Sequence, residues 1–205
     1  MLRRIQGHLE AVYRISAPDV RHFLVQEAQL HTLLGDGLRP ADEWVLVCEQ
    51  EDGVDVAVFV AAAHLKRLQS AHSPVQAAAE HFDSFCVATE GVSHFLLLAD
   101  RARRGEPVSM LELEVQAEVD KFICAILHHP DRADEWWHRL FRSSRLAEGL
   151  SPDEVARYTE AARLAAPFCA DLSKVPHADA LLQILRAFWR DSGAKRLERM
   201  RRLAA

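Results

Sequence analysis

Glycine is scarce in this chain, and the motifs that depend on it are missing. Only 8 of the 205 residues are glycine, and they form neither a Gly-x-x-x-x-Gly-Lys phosphate loop nor a Gly-x-Gly-x-x-Gly dinucleotide motif. A Gly-x-Ser-x-Gly nucleophile elbow is also missing. Because phosphate cradles and strained nucleophile turns rely on glycine at these spacings, the sequence disfavours nucleotide hydrolysis and dinucleotide redox chemistry.

The chain also lacks paired cysteines and long apolar runs. Its four cysteines stand far apart with no Cys-x-x-Cys pair, which disfavours a zinc ribbon or a thioredoxin-like redox motif. The longest apolar stretches, 57–63 and 95–99, are far shorter than the roughly 20 residues that a membrane helix needs. The first residues lack the apolar segment of a secretory signal. We therefore expect a cytoplasmic protein without a membrane contact.

Net charge gives little indication of a partner, except at the C-terminus. The formal net charge of −5 provides no general basic field for nucleic acid. The last twelve residues, in contrast, concentrate basic side chains that predict a possible phosphate contact: Lys195, Arg196, Arg199, Arg201 and Arg202. Otherwise we expect a protein partner or a homo-oligomer.

The fold class predicted from periodicity is α+β and predominantly α-helical, with an early β-hairpin packed against a multi-helix bundle. Residues 44–48 and 54–60 are apolar and β-branched and flank Glu51-Asp52-Gly53, which is typical of a tight hairpin turn. We expect a small α+β part over 1–72, with the hairpin at 43–60, and a helical part over 73–205. Together they should form one unit.

Capping signals predict where the helices begin. Ser73-Pro74 opens a helix that we expect to reach about Arg103. Ser109 with Glu112, and Ser151 with Glu154, have the spacing of capping boxes. Nearer the N-terminus, we expect a short strand at 11–15 and then one helix from about Val20 to Leu34.

The segment 92–115 has two interpretations. The helical one is favoured by the capping box at Ser109 and by an apolar stripe that continues to Ile126. The alternative is a strand hairpin, because 111–115 alternates apolar and acidic residues. In that case Glu90 and Glu112-x-Glu114 resemble the acidic motif of restriction-endonuclease-like nucleases, and the resemblance implies metal-dependent cleavage. Glu114 stands where that family has a lysine.

Candidate chemistry lies on the two segments around Gly105. At helical spacing Glu90 and His94 share a face, and so do Glu114 and Glu118. If these helices fold back on each other, Glu118 is expected near Glu90 and His94. Carboxylate and imidazole ligands together are typical of zinc, manganese or iron sites. The sequence thus predicts a divalent-metal site of Glu90, His94, Glu114 and Glu118.

Two classes of function follow from this sequence. The favoured one is a non-enzymatic regulatory or protein-interaction module. The alternative is a metal-dependent hydrolase, or nuclease-like enzyme, with Glu90, His94 and Glu118 as catalytic residues and Asp120 or Lys121 assisting. The di-iron pattern of helical bundles requires Glu-x-x-His, whereas Glu90 and His94 are four residues apart. That family is therefore not assigned.

Overall fold

A computed structural model describes residues 1–35, 41–51, 53–127, 129–143 and 146–205. It confirms the α+β, predominantly helical fold with an early hairpin. The regular elements are α1 (Leu2–Tyr13), α2 (Glu27–Leu34), β1 (Glu43–Gln50), β2 (Gly53–Val60), α3 (Ala62–Arg67), α4 (Pro74–Glu80), α5 (Phe82–Arg104), α6 (Met110–Ile126), α7 (Ala133–Phe141), α8 (Pro152–Leu172), α9 (Ala178–Arg190) and α10 (Gly193–Leu203). Short 3₁₀ turns cover Val20–Phe23 and Pro130–Arg132.

The N-terminal segment is helical where a strand was predicted. The prediction of a strand at 11–15 is wrong, because residues 11–13 complete α1. Ile5, Leu9 and Val12 recur at helical spacing and are buried, so the apolar stripe of α1 faces the core. Arg14 ends the helix in the left-handed conformation, with φ 55° and ψ 49°.

The single helix predicted from about Val20 to Leu34 is divided in the structure. After the 3₁₀ turn, Leu24 is extended and forms a parallel bridge with Val58 of β2. The Val25 N–H also donates to the Val58 carbonyl at 2.9 Å. This pairing with the edge of the sheet holds the chain extended until α2 begins. Local periodicity could not reveal a partner that lies more than 30 residues away.

The hairpin forms where it was predicted. β1 and β2 pair antiparallel, with Glu43 opposite Val60 and Leu46 opposite Ala57. The half that contains Val58 and Val60 is buried and packs against α5, whereas the outer half is exposed. Asp52 of the predicted turn lies outside the described residues.

α5 and α6 form a helical hairpin, so the helical interpretation of 92–115 is confirmed and the strand interpretation is wrong. Gly105 ends α5 with φ 65°, a left-handed conformation that glycine adopts without strain. Ser109 accepts a hydrogen bond from the Glu112 N–H at 3.2 Å and caps α6. The helix predicted from 73 to about 103 is interrupted at His81, where φ −138° and ψ 54° separate α4 from α5.

One apolar core runs through the described residues, from Leu2 in α1 to Met200 in α10. Trp136 and Trp189 are buried within it. Since this core includes residues on both sides of position 72, the division at that point stays a prediction. In the described part of the chain, none of the helices has both the length and the apolar character needed to cross a membrane.

Candidate metal centre

The antiparallel packing of α5 against α6 brings acidic and basic side chains together. The contacts between the two helices run in opposite sequence directions: Arg101 pairs with Glu112, His94 with Glu114, and Glu90 with Lys121. Each helix presents its polar residues at i and i+4 toward the other, as the sequence predicted. The result is a largely buried cluster of charged groups midway along the two helices.

His94 occupies the middle of this cluster. Its Nε2 lies 3.4 Å from Glu114 Oε2, and its Nδ1 lies 3.6 Å from Glu43 Oε1. The side chains of His94 and Glu114 are only 7% and 3% exposed. The imidazole is thus held between two carboxylates away from bulk water.

Glu43 was not among the predicted site residues. It is the first residue of β1, and the packing of the hairpin on α5 carries its carboxylate into the cluster. Gly91 makes this approach feasible, because a Cβ there would lie 3.2 Å from Glu43 Cγ and 3.3 Å from its Oε1. Glycine one helical turn before His94 indicates a close approach of another segment. The sequence alone does not show that this segment is the hairpin.

Two cations neutralise part of the acidic charge. Lys121 Nζ lies 2.9 Å from Glu90 Oε2 and 2.8 Å from Glu118 Oε1. Arg157, from α8, donates from Nε to Glu114 Oε1 at 3.0 Å. Glu90 and Glu114 therefore each have one oxygen on a permanent cation.

Electrostatics in the cluster depends on burial and on these close pairs. Burial alone would lower the pKa of His94, but the Glu114 and Glu43 carboxylates raise it well above its usual value. Burial raises the pKa of Glu43, against the opposing influence of His94. Burial also opposes ionisation of Glu90, yet Lys121 and His94 hold its pKa below the usual range. Protonated imidazole is thus the favoured form of the metal-free cluster.

Three buried polar atoms in the cluster have no hydrogen-bond partner among the described residues: Glu43 Oε1, His94 Nε2 and Glu114 Oε2. His94 Nε2 and Glu114 Oε2 face each other at 3.4 Å, whereas Glu43 Oε1 faces the other ring nitrogen, Nδ1, at 3.6 Å. Each such atom costs about 1–3 kcal/mol of desolvation. The unpartnered pair on the Nε2 side, His94 Nε2 and Glu114 Oε2, leaves place for a group that bonds to both.

The ligand atoms are close enough to share an ion. One atom each from Glu90, His94 and Glu114 lie within 4.8 Å of one another. Ligand atoms at about 2.1 Å from a tetrahedral metal lie roughly 3.4 Å apart. The side chains would therefore need to bring these atoms closer by up to about 1.4 Å.

Compared with known proteins, the chain matches no family model, and no curated protein or solved structure is significantly similar to it. Its function rests on geometry alone.

The predicted site residues fall into two groups. Glu90, His94 and Glu114 converge, whereas Glu118 lies on the far side of Lys121 and is not in the converging set. Asp120, which was expected to assist, faces away toward Tyr13 and Ser93 in a separate buried network. The catalytic roles of Glu90, His94 and Glu118, and the ligand role of Glu118, stay predictions.

The basic C-terminal residues have different environments. Arg196 is fully buried, with Nη1 donating to Gln116 Oε1 at 3.0 Å and Nη2 to the Trp189 carbonyl at 2.9 Å. It is therefore not available to a phosphate group in this structure, in contrast to the prediction. Lys195, Arg201 and Arg202 are exposed, and their role toward nucleic acid stays a prediction.

Proposed function

We propose that this chain binds one divalent cation through Glu90, His94 and Glu114, with Glu43 on the other ring nitrogen holding the imidazole in place. The observation that carries the proposal is that ligand atoms of Glu90, His94 and Glu114 lie within 4.8 Å of one another, while His94 Nε2 and Glu114 Oε2 are buried and unpartnered. A cation between them would satisfy both atoms at once. It would also draw on the remaining oxygen of Glu90, whose Oε2 pairs with Lys121.

The charge of the cluster favours the same conclusion. Glu43, Glu90, Glu114 and Glu118 bring four negative charges, and Lys121 with Arg157 brings two positive charges, so neutral His94 leaves the cluster at −2. Protonated His94 leaves the metal-free cluster at −1, whereas a divalent ion that displaces this proton brings the sum to zero. Unbalanced charge is costly away from water, so neutralisation stabilises the folded state.

The donor set indicates which ions suit the site. Two carboxylates with one imidazole nitrogen are typical of zinc, manganese and ferrous iron. Calcium and magnesium prefer oxygen ligands throughout, so His94 disfavours them. Because metal binds neutral imidazole, the ion must displace the proton that the metal-free cluster holds on His94.

Burial favours a regulatory role for the ion over catalysis. His94 and Glu114 are 5% and 2% exposed, which leaves no room for a substrate beside the ion in this conformation. Glu43, which holds His94 from the other ring nitrogen, belongs to the hairpin, whereas the three ligands belong to α5 and α6. The ion would therefore fix the hairpin on the helices and set how its exposed outer half, with Val47 and Val54, is presented to a protein partner.

Metal analysis of the full-length chain tests the binding. After purification without chelator, we expect one equivalent of zinc, manganese or iron per chain. After the metal has been removed with a chelator, titration with Zn²⁺ or Mn²⁺ should restore binding of one ion per chain. Glu114→Gln and His94→Gln should each weaken binding at least roughly 10-fold. Asp171→Asn, at an exposed acid of α8, is the control and should bind as the wild type does. Glu118→Gln removes one charge of the cluster but no ligand, so it should weaken binding less than either ligand change.

Two results would overturn the assignment. Absence of stoichiometric binding with either ion removes the metal centre. Equal loss in Glu118→Gln and Glu114→Gln would instead place Glu118 among the ligands, as the sequence alone predicted. The regulatory part has its own measurement, amide hydrogen exchange. Binding of Zn²⁺ should slow exchange in Glu43–Val60, and unchanged exchange there would leave metal binding intact but refute its control of the hairpin.

A further inference from the structure

A cavity of about 160 Å³ lies between the C-terminal part of α8, α9 and α10, and it shares no residue with the metal cluster. Its walls are mostly apolar and come from these helices and from the loop after α8: Phe168, Leu172, Val175, Ile184 and Leu203. Two charged residues, Asp171 and Arg199, complete the lining. We infer that this cavity binds a small aromatic carboxylate, with its ring against Phe168 and its carboxylate on Arg199.

The cavity is open to solvent on one side, whereas its floor belongs to the apolar core. Phe168 and Leu172, which form the floor, are each only 2% exposed. Leu203, in contrast, is 41% exposed, and Val175 and Ile184 are half-buried. A ligand therefore reaches the cavity directly from solvent and covers apolar surface that faces water in its absence. Removal of such surface from water is the main driving force for binding an apolar group.

The volume of the cavity limits the size of its ligand. A cavity of about 150 Å³ lined by aliphatic and aromatic side chains is large enough for benzene. Larger ligands, such as those of drug size, need about 300 Å³ or more. The Phe168 ring is fixed by its contact with Phe188, whose ring centroid lies 4.7 Å away. It therefore offers a rigid surface for offset or edge-to-face contact with one aromatic ring.

Arg199 gives the cavity its preference for an anion. Its guanidinium carbon lies 5.6 Å from the centroid of the Phe168 ring, which places the positive charge beside the floor. Asp191 is paired with Arg199, but Oδ2 and Nη1 are 3.8 Å apart, too far for a hydrogen bond. Among the described residues, no group accepts a hydrogen bond from this guanidinium. Its planar set of N–H donors is therefore free to bind a carboxylate through two parallel hydrogen bonds.

Asp171 opposes an anion in this cavity, but its charge is largely screened. Its Oδ1 lies 2.8 Å from Lys174 Nζ, and its side chain is 54% exposed, so both Lys174 and solvent weaken its repulsion. A free amino acid would need Asp171 to exchange Lys174 for the ammonium group of the ligand. A carboxylate without an amino group needs only Arg199, and it is therefore the ligand class that these charges favour.

Titration of the full-length protein with 4-fluorobenzoate, followed by ¹⁹F NMR, tests this assignment. We expect saturable binding of one molecule per chain with a Kd of about 1 mM or below. Nuclear Overhauser effects should connect the ring protons of benzoate to the methyl groups of Ile184 and Leu203. Arg199→Gln should weaken binding at least roughly 10-fold, because the carboxylate loses its charged donor. Asp171→Asn should act in the opposite direction and strengthen binding about 2-fold, because it removes a screened negative charge.

The matched control is Arg202→Gln, because Arg202 also belongs to α10 but is 77% exposed and lies outside the cavity lining, so its loss should leave the affinity unchanged. Benzyl alcohol, which keeps the ring but not the charge, should bind at least roughly 10-fold more weakly than benzoate. Chelation of metal should not affect benzoate binding, which separates this cavity from the metal centre. Absence of saturation, or equal affinity of Arg199→Gln and the wild type, would overturn the inference. Tighter binding of phenylalanine than of 3-phenylpropionate would refute the ligand class, because the amino group would then contribute to binding.

Discussion

The Glu112 carboxylate lies directly against Gly193, the first residue of α10. A Cβ placed on Gly193 would lie 2.7 Å from Glu112 Cδ, closer than atoms in contact allow. Glu112 cannot easily move away, because Arg101 Nη2 holds its Oε1 at 3.1 Å and Arg196 Nη1 lies 3.5 Å from the same oxygen. Glycine at position 193 thus allows a buried acid of α6 to meet the positive end of α10.

Gly193→Ala should destabilise the protein by about 1–3 kcal/mol, the usual cost of overpacking a buried site. Urea unfolding would measure the change. Ser192→Ala is the control next to it: Ser192 is the N-cap of α10 but makes no side-chain capping bond, so its loss should have little effect. A neutral Gly193→Ala would mean that Glu112 has room to rotate.

Arg196 has a structural role that the other basic residues of the C-terminus do not share. Arg196→Ala should cost about 3 kcal/mol, because Gln116 and the Trp189 carbonyl lose buried hydrogen bonds and a cavity opens beneath α10. Arg202→Ala should stay within about 0.5 kcal/mol of the wild type, since its side chain is 77% exposed. Equal effects of the two changes in thermal unfolding would contradict this assignment.

Local sequence signals were sufficient to predict those elements whose boundaries are determined by neighbouring residues. The hairpin and the caps at Ser109 and Ser151 were predicted because turn residues and capping spacing act within a few positions. Predictions failed where a distant contact overrides local preference. The edge of β2 holds Leu24 extended and breaks the predicted helix, while residues 11–13 join α1 because its apolar stripe needs them for burial.

The candidate site was predictable only where it depends on helical spacing. Glu90, His94 and Glu114 could be placed together because helical spacing and one turn at Gly105 determine their faces. Glu43 could not, because its position depends on how the hairpin packs on α5. The ion pairs of Lys121 with Glu90 and Glu118 could not be predicted either, because they depend on side-chain conformations that a helical wheel does not give.

Asp120 lies at the centre of a buried network that ties α1 to the α5–α6 pair. It accepts hydrogen bonds from Tyr13 Oη, from Ser93 Oγ at 2.6 Å and from Gln116 Nε2 at 2.8 Å, and Arg196 lies beyond Gln116. Burial raises the pKa of Asp120 from its usual 3.8 to about 6, although Ser93 and Tyr13 act to lower it. Ionised Asp120 is therefore disfavoured in the folded state.

This shift predicts how stability depends on pH. The pKa of Asp120 is higher in the folded than in the unfolded state. Its contribution to the free energy of unfolding is therefore fully present below about pH 4 and is lost as pH rises through about 6. Asp120→Asn removes the titration, so its stability relative to the wild type should rise by about 3 kcal/mol from pH 4 to pH 7. Urea unfolding at several pH values would measure the difference. Asp171→Asn, on the exposed end of α8, is the control: its free energy of unfolding should change with pH as that of the wild type does. The same pH dependence in Asp120→Asn and the wild type would refute the raised pKa of Asp120.

Gly91 tests whether Glu43 belongs to the metal centre without changing any ligand. A methyl group at this position would lie 3.2 Å from Glu43 Cγ and should push the Glu43 carboxylate outward by a few tenths of an ångström. Gly91→Ala should therefore weaken Zn²⁺ or Mn²⁺ binding about 10-fold, as loss of ligand positioning commonly does. The gain in helix propensity, up to about 1 kcal/mol, offsets part of the packing cost, so stability without metal should change little.

Gly7→Ala is the matched control: it lies within α1, and its nearest neighbour is Arg3 Nη1 at 3.6 Å, so binding should be unaltered. Calorimetric titration of both variants would decide, because unchanged affinity in Gly91→Ala would mean that Glu43 does not position His94 for the ion.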